Sequence, residues 1–425
     1  MDSLHSGLAG RKEPEAMAHP MVSGAFFSGC WDIVGLDLLK VASALFLGCP
    51  IPRAFTTSLI CLIPKGESPN SFTDFRLISL CNCVYKILAK IISGRLARVL
   101  PNLISLEQGA FVQGRSMTEN IALAQEVLGD INRKVHGGSI VLKVDMEKAY
   151  DRIEWSFLRK VLGRFVNGEL ADFFKSTRGV RQGYPLSPSL YILAAEVLNR
   201  GFTSLMDRGS CLAYQVGRNC SRISLFLYID DTLLFLSGGL KSVRATKSFL
   251  DYFQKVLGQK INLQKSGFIN SDRLSSARVD AIQRILRMAK ASANMIYLGV
   301  PVVAGRRKGS EFQPLVDKVD SRVNGWQSKC LTMASRATLI QHVLSSIPVH
   351  SLAAAGIPAS ILKALESHFA SFFWGWADSR RKHHWRKWSE IAAPKAEGGL
   401  GFRELAEVIQ VLRLKMAWAV RFKGS

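Results

Sequence analysis

Between Asn82 and Leu100 the apolar residues Val84, Ile87, Leu88, Ile91, Leu96 and Val99 recur at helical spacing, with Lys86, Lys90, Arg95 and Arg98 marking a basic face. The pattern predicts an amphipathic helix that ends at Pro101, whose ring has no N–H to offer the ladder. From Ser139 the chain reads SIVLKVD, a β-branched run with no breaker, and the helical pattern of Trp155, Leu158 and Leu162 follows at once. Asp145 is thereby expected at the carboxyl end of a strand. A second apolar block, ISLFLYIDDTLLFLS from Ile223 to Ser237, flanks Asp230 and Asp231 with two short strands and leaves room only for a tight turn. It predicts a hairpin with two carboxylates at its tip. A proline-bearing turn before an apolar helix over Leu190 to Leu198 completes the central pattern, and no internal repeat interrupts it. Towards the C-terminus Trp326, Trp374, Trp376, Trp385 and Trp388 alternate with basic runs such as Arg380-Arg381-Lys382.

Composition narrows the class. The chain has 425 residues, 48% of them hydrophobic and 21% charged, which suits two or three globular domains and excludes disorder or a collagen. Fifty-six lysines and arginines oppose 33 acids, a formal charge of +23. From residue 301 onward the balance is 19 to 9. So basic a chain calls for a polyanionic partner: nucleic acid first, with an anionic membrane surface able to account for the charge equally well. Apolar stretches such as Val41 to Pro52 fall short of the roughly 18 residues that a span requires, so no membrane helix is expected. The first 23 residues hold no continuous apolar core, are expected to be disordered, and do not resemble a secretory signal. The protein is therefore expected inside the cell. Eight cysteines, at 30, 49, 61, 81, 83, 211, 220 and 330, show neither C-x-x-C nor zinc-finger spacing and read as reduced, mostly buried thiols. Cys81 and Cys83 read as core packing rather than a metal clip.

Adjacent aspartates in a turn are common for backbone reasons, since Asp bonds its own main chain, and alone the pair means little. Two neighbouring carboxylates also repel and raise each other's pKa unless a cation neutralises them. Asp145, a third carboxylate at a strand end, turns the balance towards a divalent metal. Mg²⁺ takes octahedral oxygen ligands, and two or three aspartates with substrate phosphates complete the shell of a two-metal phosphoryl-transfer site.

Three blocks carry a resemblance. Val144-Asp145-Met146-Glu147-Lys148-Ala149-Tyr150-Asp151, Arg181-Gln182-Gly183-Tyr184-Pro185-Leu186-Ser187-Pro188 and Tyr228-Ile229-Asp230-Asp231 resemble, in order, the three palm motifs of a reverse transcriptase. Leu62-Ile63-Pro64-Lys65, Phe75-Arg76-Leu77-Ile78-Ser79-Leu80, Gly109 to Arg115, Gly258-Gln259-Lys260-Ile261-Asn262 and Tyr297-Leu298-Gly299-Val300-Pro301 are similar to flanking blocks of LINE-type (non-LTR) retrotransposon polymerases, especially plant ones. The resemblance runs from about Gly24 onward. It implies an α+β right-hand polymerase with an antiparallel palm sheet: fingers at 24–138, palm at 139–300, a helical thumb at 301–371 and a basic extension at 372–425. It further implies that Asp145, Asp230 and Asp231 hold Mg²⁺, with Mn²⁺ the alternative, and that Lys265 protonates the leaving pyrophosphate. Lys65 and Arg76 would meet the triphosphate, and Tyr150 would lie under the sugar and exclude a 2′-hydroxyl. Gln182 and Gly183 would support nucleotide and template, and Tyr297 and Gly299 would grip the primer end. The implied partners are an RNA template, a DNA primer and deoxynucleoside triphosphates, with no membrane. The nucleus is the expected location, the cytoplasm the alternative.

Three departures from the family pattern stand out. Tyr184 occupies a position where aspartate is usual, and Leu77 one where proline is usual. The helix after Asp151 runs through Leu162-Gly163-Arg164 into Phe165-Val166-Asn167-Gly168 where the family has a further helix, so an internal deletion is expected near Gly163–Val166. Neither an endonuclease domain before Gly24 nor a Cys/His knuckle after Phe402 is read, which suggests a fragment of a mobile element. RNA-directed DNA polymerisation is the leading expectation. A degenerate copy that binds nucleic acid without extending it is the alternative, and an RNA-structure binder reusing the fold is a third, against which the three aspartates argue. The charge generates a first prediction: affinity for an RNA–DNA duplex falls steeply with salt, log–log, by roughly 0.7 to 0.9 per phosphate contact. A titration between low and physiological salt checks it, and a flat response would favour a protein partner.

Overall fold

In a computed structural model the described residues are 24–423, apart from 57, 67, 72–73, 134–136, 166–177, 213, 215–223, 292–293, 306, 328–330, 355, 378–379 and 382. The elements begin with α1 (Gly24–Gly29), α2 (Trp31–Phe46), α3 (Arg53–Thr56), β1 (Ser58–Pro64), β2 (Phe75–Cys81), α4 (Cys83–Leu103), α5 (Met117–Gly129), β3 (Ser139–Val144), α6 (Ala149–Arg152), α7 (Trp155–Phe165) and α8 (Ser187–Asp207). There follow β4 (Leu225–Tyr228), β5 (Asp231–Ser237), α9 (Leu240–Leu257), β6 (Gly267–Asn270), α10 (Ser276–Leu286), β7 (Ala289–Lys290), β8 (Asn294–Tyr297) and β9 (Val300–Val303). The rest is mainly helical: α11 (Gln313–Gln327), α12 (Met333–His342), α13 (Val349–Ala354), α14 (Ala359–Trp374), the short pair β10 (Trp376–Ala377) and β11 (Arg380–Arg381), α15 (Trp388–Ala392) and α16 (Leu405–Lys423). Two compact units are interleaved along the chain. One takes Met1–Arg115, Asp145–Asp207 and Thr246–Asn262; the other takes Ser116–Val144, Arg208–Ala245 and Leu263–Ser425. This partition differs from a linear fingers–palm–thumb division.

In the second unit five strands form one sheet in the order β4-β5-β3-β6-β7, antiparallel except for the β6–β7 pair. The class expected from sequence, mixed α and β with an antiparallel-rich sheet, is what forms. β3 is central, and every residue but Lys143 is buried, as an apolar run without alternation requires of a strand covered on both faces. β5 alongside it contributes Leu233, Leu234, Phe235 and Leu236, all fully buried. A separate hairpin, β8–β9, packs with α5 and the helices of the C-terminal half around Tyr297, Val300, Phe312, Val319, Leu365, Phe369 and Leu405. Gln125 on α5 holds this hairpin through its amide: Nε2 donates to the Val303 carbonyl at 2.9 Å, and Oε1 accepts from the Val303 N–H at 3.0 Å. The side chain thus stands in for a missing strand neighbour.

In the first unit β1 and β2 form a seven-pair antiparallel hairpin. Asn82 caps α4, its side chain accepting from the Val84 N–H at 2.9 Å. That helix does not stop at Pro101. It continues to Leu103, with Ile104 donating to the Leu100 carbonyl. A proline in the last turn forfeits one hydrogen bond, too little to end a helix whose Leu100 is buried. Glu196, a fully buried carboxylate on α8, accepts from the Ser105 N–H at 3.1 Å, from the Ser105 hydroxyl and from Arg200 Nε at 2.9 Å. The cysteines need a correction. Of the described ones Cys81 and Cys211 are buried, Cys30 and Cys83 are half-buried, and Cys49 and Cys61 are exposed. Cys61 lies on β1, a strand exposed along most of its length, so its apolar neighbours in sequence did not mean a covered face.

Because both bonds of Gln125 are buried, Gln125→Leu leaves the Val303 N–H and carbonyl without partners. The expected cost is about 2 kcal/mol or more in urea unfolding. Unchanged stability would show that the amide is not what holds β9.

Candidate active site

The second unit carries the hairpin tip. β3 and β5 pair from Ser139↔Ser237 to Val144↔Thr232, so the carboxyl end of β3 and the amino end of β5 lie at one end of the sheet. Tyr228 pairs with Asp231, which leaves Ile229 and Asp230 as a two-residue turn. Asp231 is therefore the first residue of β5 rather than a turn residue. Ile229 takes φ +59°, the only positive value in the turn, which is the pattern of a type II′ hairpin with isoleucine at its usual glycine position. A β-branched residue there stores backbone strain of about 1–3 kcal/mol, as sites that must hold one shape often do. Both aspartates are partly exposed.

Lys143, the single polar side chain of β3 after Ser139, reaches Asp231. Its ammonium lies 3.8 Å from the Asp231 carboxylate and donates to the Ile296 carbonyl of β8 at 2.7 Å. One cation thus ties the hairpin tip to the strand that carries Tyr297. Beyond Tyr297, Leu298 and Gly299 take φ +50° and +80°, the two positive values of a type I′ turn. His350 on α13 donates from Nε2 to the Leu298 carbonyl at 2.8 Å. Tyr297 itself is fully buried, and burial, helped by Asp231 and Tyr228, pushes its phenol up. Its ring is a core anchor, and what the turn exposes is Leu298–Gly299. Asn120 donates to the Leu227 carbonyl at 3.1 Å, bracing β4 from α5. Lys265 is exposed in the turn before β6.

By itself, the first unit carries Asp145, Tyr150, Gln182, Gly183, Lys65 and Arg76. Asp145, the residue after Val144, accepts at its carbonyl from the Asn262 N–H at 2.9 Å, Met146 bridges Ile261, and Glu147 N–H donates to the Lys260 carbonyl at 2.7 Å. The Gln259–Asn262 block is therefore a strip of backbone running beside Asp145–Glu147. Gln259 also donates to the Ala149 carbonyl at 2.9 Å. Tyr150 stacks on Tyr191 of α8, centroids 4.9 Å apart and planes 24° from parallel, which fixes its ring. Burial raises the Asp151 carboxyl, with Lys148 and Lys65 opposing the rise.

The expected deletion at Gly163–Val166 falls at the end of α7, and residues 166–177 lie outside the described ones. The chain on their far side does come back. Glu154 bridges Arg178, Gly179 N–H donates to the Ile153 carbonyl and Val180 N–H to the Tyr150 carbonyl, each at 2.7 Å. Four residues past Arg178, Gln182 accepts at its carbonyl from the Ser79 N–H of β2 at 2.9 Å. The Gln182–Gly183 loop is thus strung between Tyr150 and the β1–β2 hairpin. That hairpin carries Arg76, paired with Ile63, and Lys65, whose N–H donates to the Asp74 carbonyl at 2.8 Å. Both cationic side chains are exposed. Tyr184 stacks on Tyr85 at 4.9 Å, and burial with that neighbour pushes its phenol far up, so it stays neutral. Arg181 donates to the Thr56 carbonyl at 2.9 Å, its guanidinium 5.7 Å from the Tyr85 ring centre. Lys143, Gln125 and His350 were not anticipated, and Arg181 was read only as part of its motif block. Only Lys143 left a signal, as a lone cation in an apolar strand.

Asp145 in the first unit, and Asp230 and Asp231 in the second, are each half-buried carboxylates that solvent reaches, the hard oxygen donor type that Mg²⁺ takes. Among the described residues no three His, Cys, Asp or Glu side chains form a ready-made metal cage. Polymerase-type Mg²⁺ sites need none, since one or two carboxylates hold the ion and water and substrate phosphates complete its shell.

Residues 63–302 match the family "Reverse transcriptase (RNA-dependent DNA polymerase)", more than half of the chain, and the chain belongs to that family. Several of its relatives are proteins of transposable elements. The chain is 26% identical to a 149 kDa protein of transposon TX1 from Xenopus laevis over 92% of its own length and 31% of that protein's. It is 20% identical to the Pol polyprotein of the type-2 retrotransposable element R2DM from Drosophila melanogaster over 89% of the chain and 37% of that protein. The chain thus spans about a third of these relatives. A Candida tropicalis telomerase structure aligns with TM-score 0.40 at 15% identity, over 81% of this chain and 64% of that one.

The loop geometry yields a prediction. Gly183 takes φ +86°, and a Cβ there would lie 3.3 Å from Ile78 Cγ2 and 3.4 Å from the Ser79 carbonyl oxygen, whereas Gly114, at φ +85°, has open space. Gly183→Ala is expected to cost about 1–2 kcal/mol in urea unfolding, and more than Gly114→Ala. Equal costs would mean that close approach to β2 is not what selects glycine.

Proposed function

We propose that this chain carries out RNA-directed DNA synthesis, joining a deoxynucleotide to the 3′-hydroxyl of a DNA primer on an RNA template. The observation that supports it most is the register Val144↔Thr232, which ends β3 beside the amino end of β5, so that the motif aspartates follow and precede paired residues. In this reading Asp145, Asp230 and Asp231 hold Mg²⁺, or Mn²⁺. When bound, the ion supplies positive charge to phosphate oxygens and to the attacking hydroxyl. The primer 3′-hydroxyl gives up its proton to solvent water as its oxygen bonds to the α-phosphorus, the bond from that phosphorus to the oxygen bridging to the β-phosphate breaks, and pyrophosphate leaves with a proton from Lys265, which solvent restores. Lys65 and Arg76 bind the triphosphate, where exposed cations on a hairpin can follow the departing charge. Tyr150, locked against Tyr191, cannot turn aside for a 2′-hydroxyl. The Gly183 backbone lies against nucleotide and template without a Cβ, and the Leu298–Gly299 turn after Tyr297 bears on the primer end.

A plant origin is supported by 40% identity over 119 residues to a putative ribonuclease H protein from Arabidopsis thaliana, 28% of this chain and 19% of that protein. A nuclear location is proposed with it, since a DNA primer is among the substrates. The rival reading, a relic that binds without extending, drew its force from the expected deletion. The bond from Val180 to the Tyr150 carbonyl weighs against it, because the loop bearing Gln182 still returns to the first motif.

Primer extension on an RNA template tests the proposal. The unaltered chain is expected to extend, and Asp145→Ala or Asp230→Ala to lose at least about a hundredfold, since a metal-held charge contributes several kcal/mol to such a transition state. Tyr150→Ala is expected to admit ribonucleotides while retaining extension. No extension by the unaltered chain, with recovery after a helix from an intact relative is inserted following Arg164, would favour the relic.

A further inference from the structure

Within the second unit, α14 and the segment leading into α15 enclose an open groove of about 710 Å³ that the proposed polymerase chemistry does not use. Its lining is unusual in combining exposed aromatic surface with cations. Trp385 is 76% exposed, touched edge-on by His383 at 5.3 Å between ring centres. Lys363 stands on α14, and His384, Arg386 and Lys387 line the opposite segment. A large indole held at the surface gains nothing from burial, so it is not there for the core. The segment that presents it is anchored independently: Trp388 stacks on Phe402 at 5.3 Å and 11° and lies 6.1 Å from Phe369.

The groove's carboxylates are already engaged. Glu366 turns towards the chain and accepts from the Leu405 N–H at 3.0 Å, and burial raises its carboxyl. Glu390 pairs with Arg386 at 3.2 Å. Among the described residues no carboxylate pairs with Lys363 or Lys387. The groove is thus net cationic, open to solvent, and equipped with a flat apolar face. A small apolar ligand would find too little enclosure here, whereas a chain of phosphates bearing planar rings meets both features.

We propose that this groove binds single-stranded nucleic acid, with a base stacked on Trp385 and backbone phosphates against Lys363 and Lys387. The proposal rests on the reading that the chain handles nucleic acid, and it requires no particular catalytic competence. It supplies a holding point for unpaired strand apart from the residues assigned to nucleotide transfer.

Fluorescence anisotropy of the full chain with a labelled oligouridine of about ten nucleotides tests it, beside an RNA–DNA duplex and an abasic strand of equal length. Trp385→Ala is expected to weaken oligouridine about five- to a hundredfold and to leave the duplex and the abasic strand unchanged, with Trp385→Phe largely restoring affinity. Lys363→Gln with Lys387→Gln is expected to lower the salt slope for oligouridine by about 1.4. Unchanged oligouridine binding by Trp385→Ala, with duplex binding intact, would overturn the groove while the reverse-transcriptase reading stood, and would point to an acidic peptide as occupant. Equal weakening of the abasic strand would overturn the stacking. Failure of the unaltered chain to bind either strand or duplex would sink both readings.

Discussion

Everything proposed for the active site depends on one strand register, that of β3 against β5. Side chains alternate along a strand, so a slip by one residue would turn Lys143 into the core and bring Leu142 or Val144 out. It would also move the end of β3 away from the end of the hairpin. The register is enforced by burial: Ile140, Leu142, Val144 and the leucines of β5 have no other covered place to go. Two features that look unfavourable in isolation, a lysine in a central strand and an isoleucine at positive φ, are tolerated because that buried frame over-determines their positions. Lys143 then links the hairpin to β8 through Asp231 and Ile296.

The other half of the predicted chemistry is assembled by backbone hydrogen bonds rather than by a sheet. Asp145, Glu147, Tyr150 and Ile153 all offer or receive main-chain bonds from segments far away in sequence, Lys260–Asn262 and Gly179–Val180. Such bonds demand little of side-chain identity, so the segments between them can change length without disturbing the residues they fix. The aromatic stack of Tyr150 on Tyr191 adds what the backbone cannot, a fixed ring plane.

What the sequence made legible follows from this division. β3, the β4–β5 hairpin and α7 were readable because apolar periodicity is a local signal that burial later confirms. The end of α4 was misread because Pro101 is judged from sequence as a breaker, whereas its cost depends on how near it stands to a helix end already packed through Leu100. Cys49 and Cys61 were misread because an apolar neighbourhood along the chain does not reveal whether a second layer covers it. Gln125 and His350 were invisible because each bonds a backbone group, and backbone groups carry no sequence signature. For Asp145, Asp230, Asp231 and their companions, only motif spacing supplied the assignment, because metal binding is a property of side-chain chemistry that periodicity does not encode.

The interleaving of the two units has a consequence for how the protein comes into being. The first unit opens with residues up to Arg115 but takes its last segment from Thr246–Asn262. On a ribosome adding about 5–20 residues per second, its early part waits on the order of ten seconds for the strip that runs beside Asp145–Glu147. Through that interval the β1–β2 hairpin, whose Leu59, Ile60, Leu62 and Ile63 remain exposed even in the finished unit, is available to any strand edge it meets. Nascent chains thus present an apolar hairpin before the unit that holds it is complete, a stage at which association with other chains competes with folding.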